Sequence, residues 1–342
     1  MMPALTSLHI DRALTEVSIA YMNDSLIADV VAPPLPVDVR SNKYFVYDRA
    51  TFLSTSGLDA NNRPRSIRRP KTEAAEIDFT LSTDSYYTEE FALRDLVTDA
   101  EIAIADSPLQ PDIDATYLVT ERIKLDYEKF TATIVGTRSG YASGYTAQLT
   151  TGSTGTSWLS YASANSHPFS NIRDGRIAVR KGVYREANYI LLTLDSALTL
   201  ADHPDYKDLY KFTNPEGLSE SGLVRNLRGC TVLEGNQQYN TAAEGAAVTT
   251  NNMWVDDQGQ ALAVVFYRSV GVGPRTVHGF RTFEAPDDTT GVRGFQVRRY
   301  RNEDRKGQFI EASCMRTAKA VAVDAPSTGK IVGAYLISGT SI

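Results

Sequence analysis

The residues best able to bind a metal, move a proton or attack a carbonyl are four histidines, His9, His167, His203 and His278, and two cysteines, Cys230 and Cys314. Such chemistry needs recurring spacings, such as two histidines one helical turn apart or cysteines two residues apart. None of the six is so placed, and the histidines read as isolated core or surface residues. The cysteines read as two buried thiols rather than a bridge, which suits a reducing compartment. No nucleophile elbow, phosphate-binding loop or dinucleotide glycine pattern occurs. Gly271-Val272-Gly273-Pro274 is a turn whose proline blocks the helix start that a phosphate loop requires. Asp256-Asp257 and Asp287-Asp288 are acidic pairs in turns, where solvation competes with any cation. The expectation is a chain that is not an enzyme and holds no metal and no cofactor.

The residues that do stand out are adhesive. Arg63, Arg65, Arg68, Arg69 and Lys71 crowd a polar stretch, residues 50–72, opposed only by Asp59. Strand patterns flank it: KYFVYDR at 43–49 and IDFTL at 77–81. Strand, long basic excursion and strand make an extended two-stranded arm. An isolated hairpin is marginal in water, so this one needs a surface to rest on. Upstream, Ile27, Val30, Val31, Pro33, Pro34 and Leu35 belong to an apolar stretch, residues 27–37, in which prolines forbid helix and weaken a sheet ladder. It reads as an extended arm that must lie on its own body or on a neighbour. Asn302-Glu303-Asp304-Arg305-Lys306 forms a highly charged connection between alternating strand patterns at 292–300 and 307–314, with Arg298, Arg299 and Arg301 just before it. Tyrosine, with 18 residues, suits interfaces through its apolar body and polar tip.

The element that positions these parts is residues 111–136. Ala115, Val119, Ile123, Tyr127, Phe130 and Ile134 recur at spacings of three and four, one face of a helix, with Leu118 and Leu125 widening the stripe. Asp112 or Asp114 suits the start and Pro111 the first turn, and Gly136 suits a left-handed stop. The other side carries Glu121, Arg122, Lys124, Asp126, Glu128 and Lys129. At 1.5 Å per residue the helix spans about 40 Å. It fits either a long core helix or a spine that carries neighbouring subunits.

Elsewhere, residues 11–21 read as a short helix, and 86–105 as helical in part. The stretch 137–165 reads as a Gly/Ser/Thr-rich loop pinned by Trp158. A helix over 172–181 turns Ile172, Ile177 and Val179 inward. Apolar runs at 189–194 and 261–267 read as buried strands. Asp195 caps a helix through Leu198 and Leu200. Residues 221–228 read as a short helix ended by Gly229, 230–233 as a strand, and 317–323 and 330–337 as further strands.

The chain has 342 residues, 42% apolar and 22% charged, enough for two domains or one elaborated one. A net charge of -6 argues against a general nucleic-acid binder. No run approaches a membrane span, and no signal-peptide pattern or internal repeat is visible.

Three segments in this order, IADVVAPPLPVDVRSNKYFVYDR (27–49), KTEAAEIDFTLSTDSYYTEEFALRDLVTDAEIAIAD (71–106) and VRRYRNEDRKGQFIEASC (297–314), resemble the major capsid proteins of tailed bacteriophages. The likeness runs from about residue 20 to 324. It is weakest over 137–170 and the last 15 residues. It implies an α+β chain with the Hong Kong 97 phage-like capsid fold. Residues 1–49 are similar to the N-terminal arm that reaches neighbours, and 50–82 to the extended loop laid across an adjacent subunit. Residues 83–169 resemble the peripheral domain with its spine helix at 111–136, and 170–285 the axial domain. Residues 286–342 resemble the peripheral-domain β hairpin and C-terminal strands.

The resemblance implies self-assembly through pentamers and hexamers into an icosahedral head in the host bacterial cytoplasm, giving a virion capsid. Its implied partners are a portal protein, a separate scaffolding protein, a decoration protein, and packaged double-stranded DNA held without sequence-specific contact; no membrane is implied. The basic loop needs acids on a neighbour, with Glu89, Glu90, Asp95, Asp99, Glu121 and Glu128 as candidates. The acidic side of the spine then centres on Glu121, Asp126 and Glu128. Arg298, Arg299 and Arg301 fit salt bridges at a three-fold, with DNA contact as the alternative. Lys71 sits at the base of the excursion rather than its tip, so covalent cross-linking is not expected. An encapsulin-type nanocompartment shell protein is the alternative function, and a soluble α/β enzyme a more distant one.

Overall fold

The computed structural model describes residues 26–47, 57, 62–68, 70–76, 81–105, 110–152, 154–211, 222–243, 245–269, 271, 278–287, 291, 293–325 and 327–341. The helix expected at 11–21 and Arg69 lie outside them.

Two sheets share one long helix. The first sheet is built on β14 (Gly307–Ala320). Its first half runs between β4 (Glu89–Thr98) and β13 (Gln296–Asn302), and its second half pairs with β12 (Phe280–Glu284). The edge strand β1 (Pro34–Pro36) lies parallel to β12, with Leu35 opposite Phe283. Prolines are tolerated there because an edge strand need not donate outward. The second sheet runs β5 (Thr146–Gln148), β15 (Ala334–Ser338), β11 (Leu262–Phe266), β6 (Tyr189–Thr193), β8 (Cys230–Gly235) and β7 (Asn226–Leu227). Its central strands are continuous apolar runs because both faces are covered. One face packs on α4 (Pro168–Val183) and α5 (Leu194–Asp202) through Trp158, Ile172, Val179, Ile190, Leu192 and Leu200. The other packs Leu191, Val264, Phe266 and Leu336 against Trp254, Ala132, Val135, Ile27 and Val31. Two smaller pairings complete the strands: β2 (Ser41–Tyr47) with β3 (Leu81–Tyr87), and β9 (Gln238–Asn240) with β10 (Thr250–Asn252).

The long helix α3 spans Pro111–Gly136, the boundaries read from sequence. Its first half rests on the first sheet, Val119 and Ile123 meeting Ala312 and Cys314. Its second half reaches the second sheet through Ala132 and Val135. The helix thus joins the two sheets. Leu118 is exposed and does not widen the stripe. Neither aspartate is the N-cap residue, which is Gln110 without a side-chain bond, but Asp114 Oδ2 accepts the Gln110 N–H at 3.3 Å. Gly136 is no left-handed stop either. It is the last helical residue, and a Cβ there would lie 2.2 Å from the Val255 carbonyl oxygen, so glycine is needed for close approach.

Other expectations are corrected. Most of 86–105 is strand, because ten residues of β4 pair along β14. Only α2 (Asp99–Ile104) is helical, opened by a capping box in which Thr98 and Glu101 exchange hydrogen bonds. Residues 222–228 form no helix. Arg228 (φ 53°) and Gly229 (φ 82°) make the tight turn of a β7–β8 hairpin, whose central residues need left-handed backbone. Ile177 and Leu198 face solvent. Asp195 lies in the first turn of α5 behind Thr193, the actual N-cap residue. The stretch 317–323 is no separate strand, since β14 runs through it to Ala320. The first sheet takes in β12, which lies before residue 285, and the second takes in β5 and β15.

Candidate assembly surfaces

The N-terminal arm is not uniformly extended. Residues Ala28–Val31 form one helical turn, α1, before β1 begins. Ile27 and Val31 are buried in the chain's own core, Val30, Pro33 and Leu35 are half-buried, and Pro34 is exposed. Local sequence excluded helix because of the prolines, but the turn ends before them. The carboxylate of Glu128 holds the turn. Oε1 accepts the Ile27 N–H at 3.0 Å and Oε2 the Ala28 N–H at 2.8 Å, while the Trp254 indole donates to Oε1 at 2.9 Å. Glu128 is therefore not on an exposed acidic face; it is 1% exposed. Burial pushes its carboxyl above the usual range, against the pull of these three donors. Helical geometry carries the missed signal: each four-residue step overshoots one turn by about 40°. The row 115, 119, 123, 127 therefore drifts, and Glu128 enters the buried face beside Ala132 and Val135.

Two further contacts secure the arm. Arg316, buried on β14, reaches Asp29 at 3.2 Å and Glu284 at 2.7 Å. Tyr127 donates to Thr282, whose hydroxyl donates to the Ala32 carbonyl at 2.8 Å. Burial raises the Tyr127 phenol to about 12.

The arm has the expected two-stranded stem among the described residues, while positions 48–49 and 77–80 of the expected strands lie outside them. Ser41 pairs with Tyr87 and Tyr47 with Leu81. Rings of Tyr44 and Tyr86 lie 5.5 and 4.6 Å from Phe283, and Asp84 binds both Tyr44 (2.6 Å) and Lys319 (2.7 Å). Desolvation pushes the Asp84 carboxyl up, but these two partners outweigh it and hold it below the usual range. The outer face exposes Phe45 (67%) and Tyr87 (60%). Beyond the stem, Arg63, Arg65, Arg68 and Lys71 are all exposed. Of the acids expected to meet them, Glu128 is consumed inside the chain, Asp99 binds Arg301, and Glu121 binds Lys124. Glu89 and Glu90 remain exposed on β4, and Asp126 on α3.

The charged connection is the turn between β13 and β14. Its cations meet acids of their own chain. Arg301 grips Asp99 with two bonds, 2.9 and 3.1 Å, and Glu303 at 2.7 Å. Arg298 meets the buried Asp287 at 2.5 Å, and Arg299 lies 3.9 Å from Asp112. Arg305 lies over the Phe309 ring, and Asp304 is exposed.

The histidines are not all isolated. His203 Nε2 lies 3.2 Å from Ser166 Oγ, and its Nδ1 lies 3.8 Å from Asp205, the outline of a serine–histidine–acid relay. The proton positions oppose that use. Nδ1 accepts the Asp205 backbone N–H, so Nε2 carries the proton, and Ser166 donates to the Ser157 carbonyl. This histidine caps α6 (Pro204–Tyr210). Both cysteines are buried free thiols. Among the described residues no cluster of acids, histidines and cysteines could hold a metal, and no helix is long and apolar enough to cross a membrane.

No protein-family model matches the chain. It is 28% identical over 247 residues to the major capsid protein of Pseudomonas phage JBD67, covering 72% of this chain and 74% of that one. It is 27% identical over 218 residues to the major capsid protein of Burkholderia phage BcepMu, covering 64% and 66%. Among solved structures, a phage-related protein of Bordetella bronchiseptica RB50 superposes with TM-score 0.64 at 19% identity, covering 94% of each chain. The mature capsid of bacteriophage PhiM1 gives 0.58 at 13%, covering 98% of this chain and 93% of that one. The SrpI encapsulin of Synechococcus elongatus PCC 7942 gives 0.52 at 13%, covering 97% and 95%. Two sheets on a shared long helix, with a projecting two-stranded arm, are the shell-subunit fold of the Hong Kong 97 phage type. In sequence the chain is similar to phage major capsid proteins, and in fold to phage capsids.

Proposed function

We propose that this chain is the major capsid protein of a tailed double-stranded DNA phage, assembling through pentamers and hexamers into the icosahedral head that encloses the genome. The observation that carries this reading is the joint likeness to two phage major capsid proteins in sequence and to phage capsids in fold along nearly the whole chain. Its role is structural rather than enzymatic. The stem of β2 and β3, with Phe45 and Tyr87 exposed and Arg63, Arg65, Arg68, Arg69 and Lys71 in the loop beyond, rests on a neighbouring subunit. There it meets the exposed acids Glu89 and Glu90. Exposed pairs of this kind contribute about 0–1 kcal/mol each, so they set register while apolar burial supplies most of the energy.

Assembly takes place in the host cytoplasm with a portal protein and a separate scaffolding protein, and the finished shell accepts a decoration protein. An overall charge of -6 suits a wall that encloses DNA without gripping it. The test is charge reversal of Arg63, Arg65 and Arg68 to glutamate. Subunits that keep wild-type circular dichroism but no longer sediment as particles support the reading; unimpaired particles oppose it. The encapsulin likeness supports a second reading, a cargo-enclosing compartment. Particles that contain enzyme and no DNA would favour it.

A further inference from the structure

Cations on the paired strands β12 and β14 are unequally provided for. Arg316 takes Asp29 and Glu284, and Lys319 takes Asp84. Arg281 stands directly opposite Lys319 in the pairing register, yet among the described residues no carboxylate pairs with it. Its guanidinium is instead set against His278, with Nη2 2.5 Å from Nε2, and Nη1 has no partner. Arg281 is 4% exposed and His278 2%. Arg268, half-buried with its guanidinium over the Tyr189 ring, adds a second positive charge to the cluster rather than a counter-charge. Residues 268–281, RSVGVGPRTVHGFR, contain no acid at all.

Buried charges in proteins are paired, because an unpaired one forfeits its hydration without compensation. The geometry points to a binding site for a small inorganic oxyanion, of the phosphate or sulfate class, at Arg281, with Arg268 adding its charge nearby. His278 accepts from Arg281 through Nε2, so the imidazole is neutral and its proton sits on Nδ1, itself without a hydrogen-bond partner among the described residues. The remaining charge belongs to the two arginines. Their fixed donors suit an oxyanion better than a halide, since guanidinium hydrogen bonds are directional. Size restricts the occupant. Arg281 and His278 are so nearly enclosed that neither a folded partner nor a DNA duplex can pair with the guanidinium, and only a small ion has the size to do so. The position gives the site a consequence. The Gly279 N–H donates to the Tyr267 carbonyl at 2.9 Å, and the rings of Phe266 and Phe280 meet, so the cluster lies where one sheet hands the chain to the other. An anion there braces that joint.

The test is thermal denaturation of the purified full chain with inorganic phosphate or sulfate, against sodium chloride at matched ionic strength, with calorimetric titration of phosphate alongside. A saturable rise in Tm with either oxyanion and not with chloride is expected. Arg281→Met should abolish it, and Arg268→Ala should weaken phosphate binding at least about tenfold, since each removes charge-assisted donors. If Arg281→Met does not fold, Arg268→Ala carries the test. The site is refuted by equal responses to phosphate, sulfate and chloride, or by a phosphate response undiminished in Arg268→Ala.

Discussion

Trp254 and Glu128 lie 126 residues apart and share a buried hydrogen bond, indole N–H to carboxylate at 2.9 Å. The same carboxylate accepts both leading amides of α1. One side chain on the long helix therefore fastens the N-terminal arm and a loop of the second sheet together. Removing it leaves three buried donors without acceptors, each costing about 1–3 kcal/mol. Glu128→Ala should destabilise the chain by at least about 3 kcal/mol in urea denaturation, while Trp254→Phe, which removes one donor, should cost about 1 kcal/mol. Hydrogen exchange at the Ile27 and Ala28 amides should accelerate in Glu128→Ala and stay near wild type in Trp254→Phe.

Gly136 tests the junction of α3 with the loop before β11. Alanine at this position has ordinary helical backbone but puts Cβ 2.2 Å from the Val255 carbonyl oxygen. Overpacking against backbone costs about 1–3 kcal/mol or more, whereas glycine to alanine inside an unhindered helix gains about 1 kcal/mol. Gly136→Ala should therefore lower Tm; an unchanged or raised Tm would remove the close-approach argument.

Arg316 bridges Asp29 of the arm and Glu284 of β12. Breaking a buried pair by deleting one partner costs about 3–5 kcal/mol, because the other charge stays behind. Arg316→Met should fall near the lower end, since Asp29 is half in solvent. A double mutant that also carries Glu284→Gln should recover part of the loss, measured as a coupling energy in a double-mutant cycle.

Acid should weaken the fold through His278. Burial, reinforced by repulsion from Arg281, lowers its pKa from 6.5 to about 4. Between those values the folded chain binds fewer protons than the unfolded chain. The contribution is therefore complete above pH 6.5 and is lost as the pH falls toward 4. His278→Asn should flatten the fall in Tm over that window. A slope identical to wild type would show that other groups control it.

Much of this was legible from local pattern. The boundaries of α3 follow from Pro111, the apolar spacing and the break after Gly136, and the buried strands β6 and β11 from runs that only a doubly covered sheet accepts. What was not legible depended on distant partners. The Tyr86-to-Thr98 stretch has acids at helical spacing, but pairing with β14 outweighs that propensity. Glu128 reads as surface until the arm and Trp254 close on it. The Arg301–Asp99 pair joins residues 202 apart, which only α2 brings together. The turn at Arg228 and Gly229 was misread because a short apolar run before a glycine fits a helix end and a hairpin equally well.

The central claim is that this chain builds closed shells. Negative-stain electron microscopy of the purified protein, alone and co-expressed with its neighbouring genes, tests it most directly. Closed shells, tubes, or isolated pentamers and hexamers are the predicted result. A monodisperse monomer or dimer under every condition, with no shells even beside the neighbouring gene products, would contradict it.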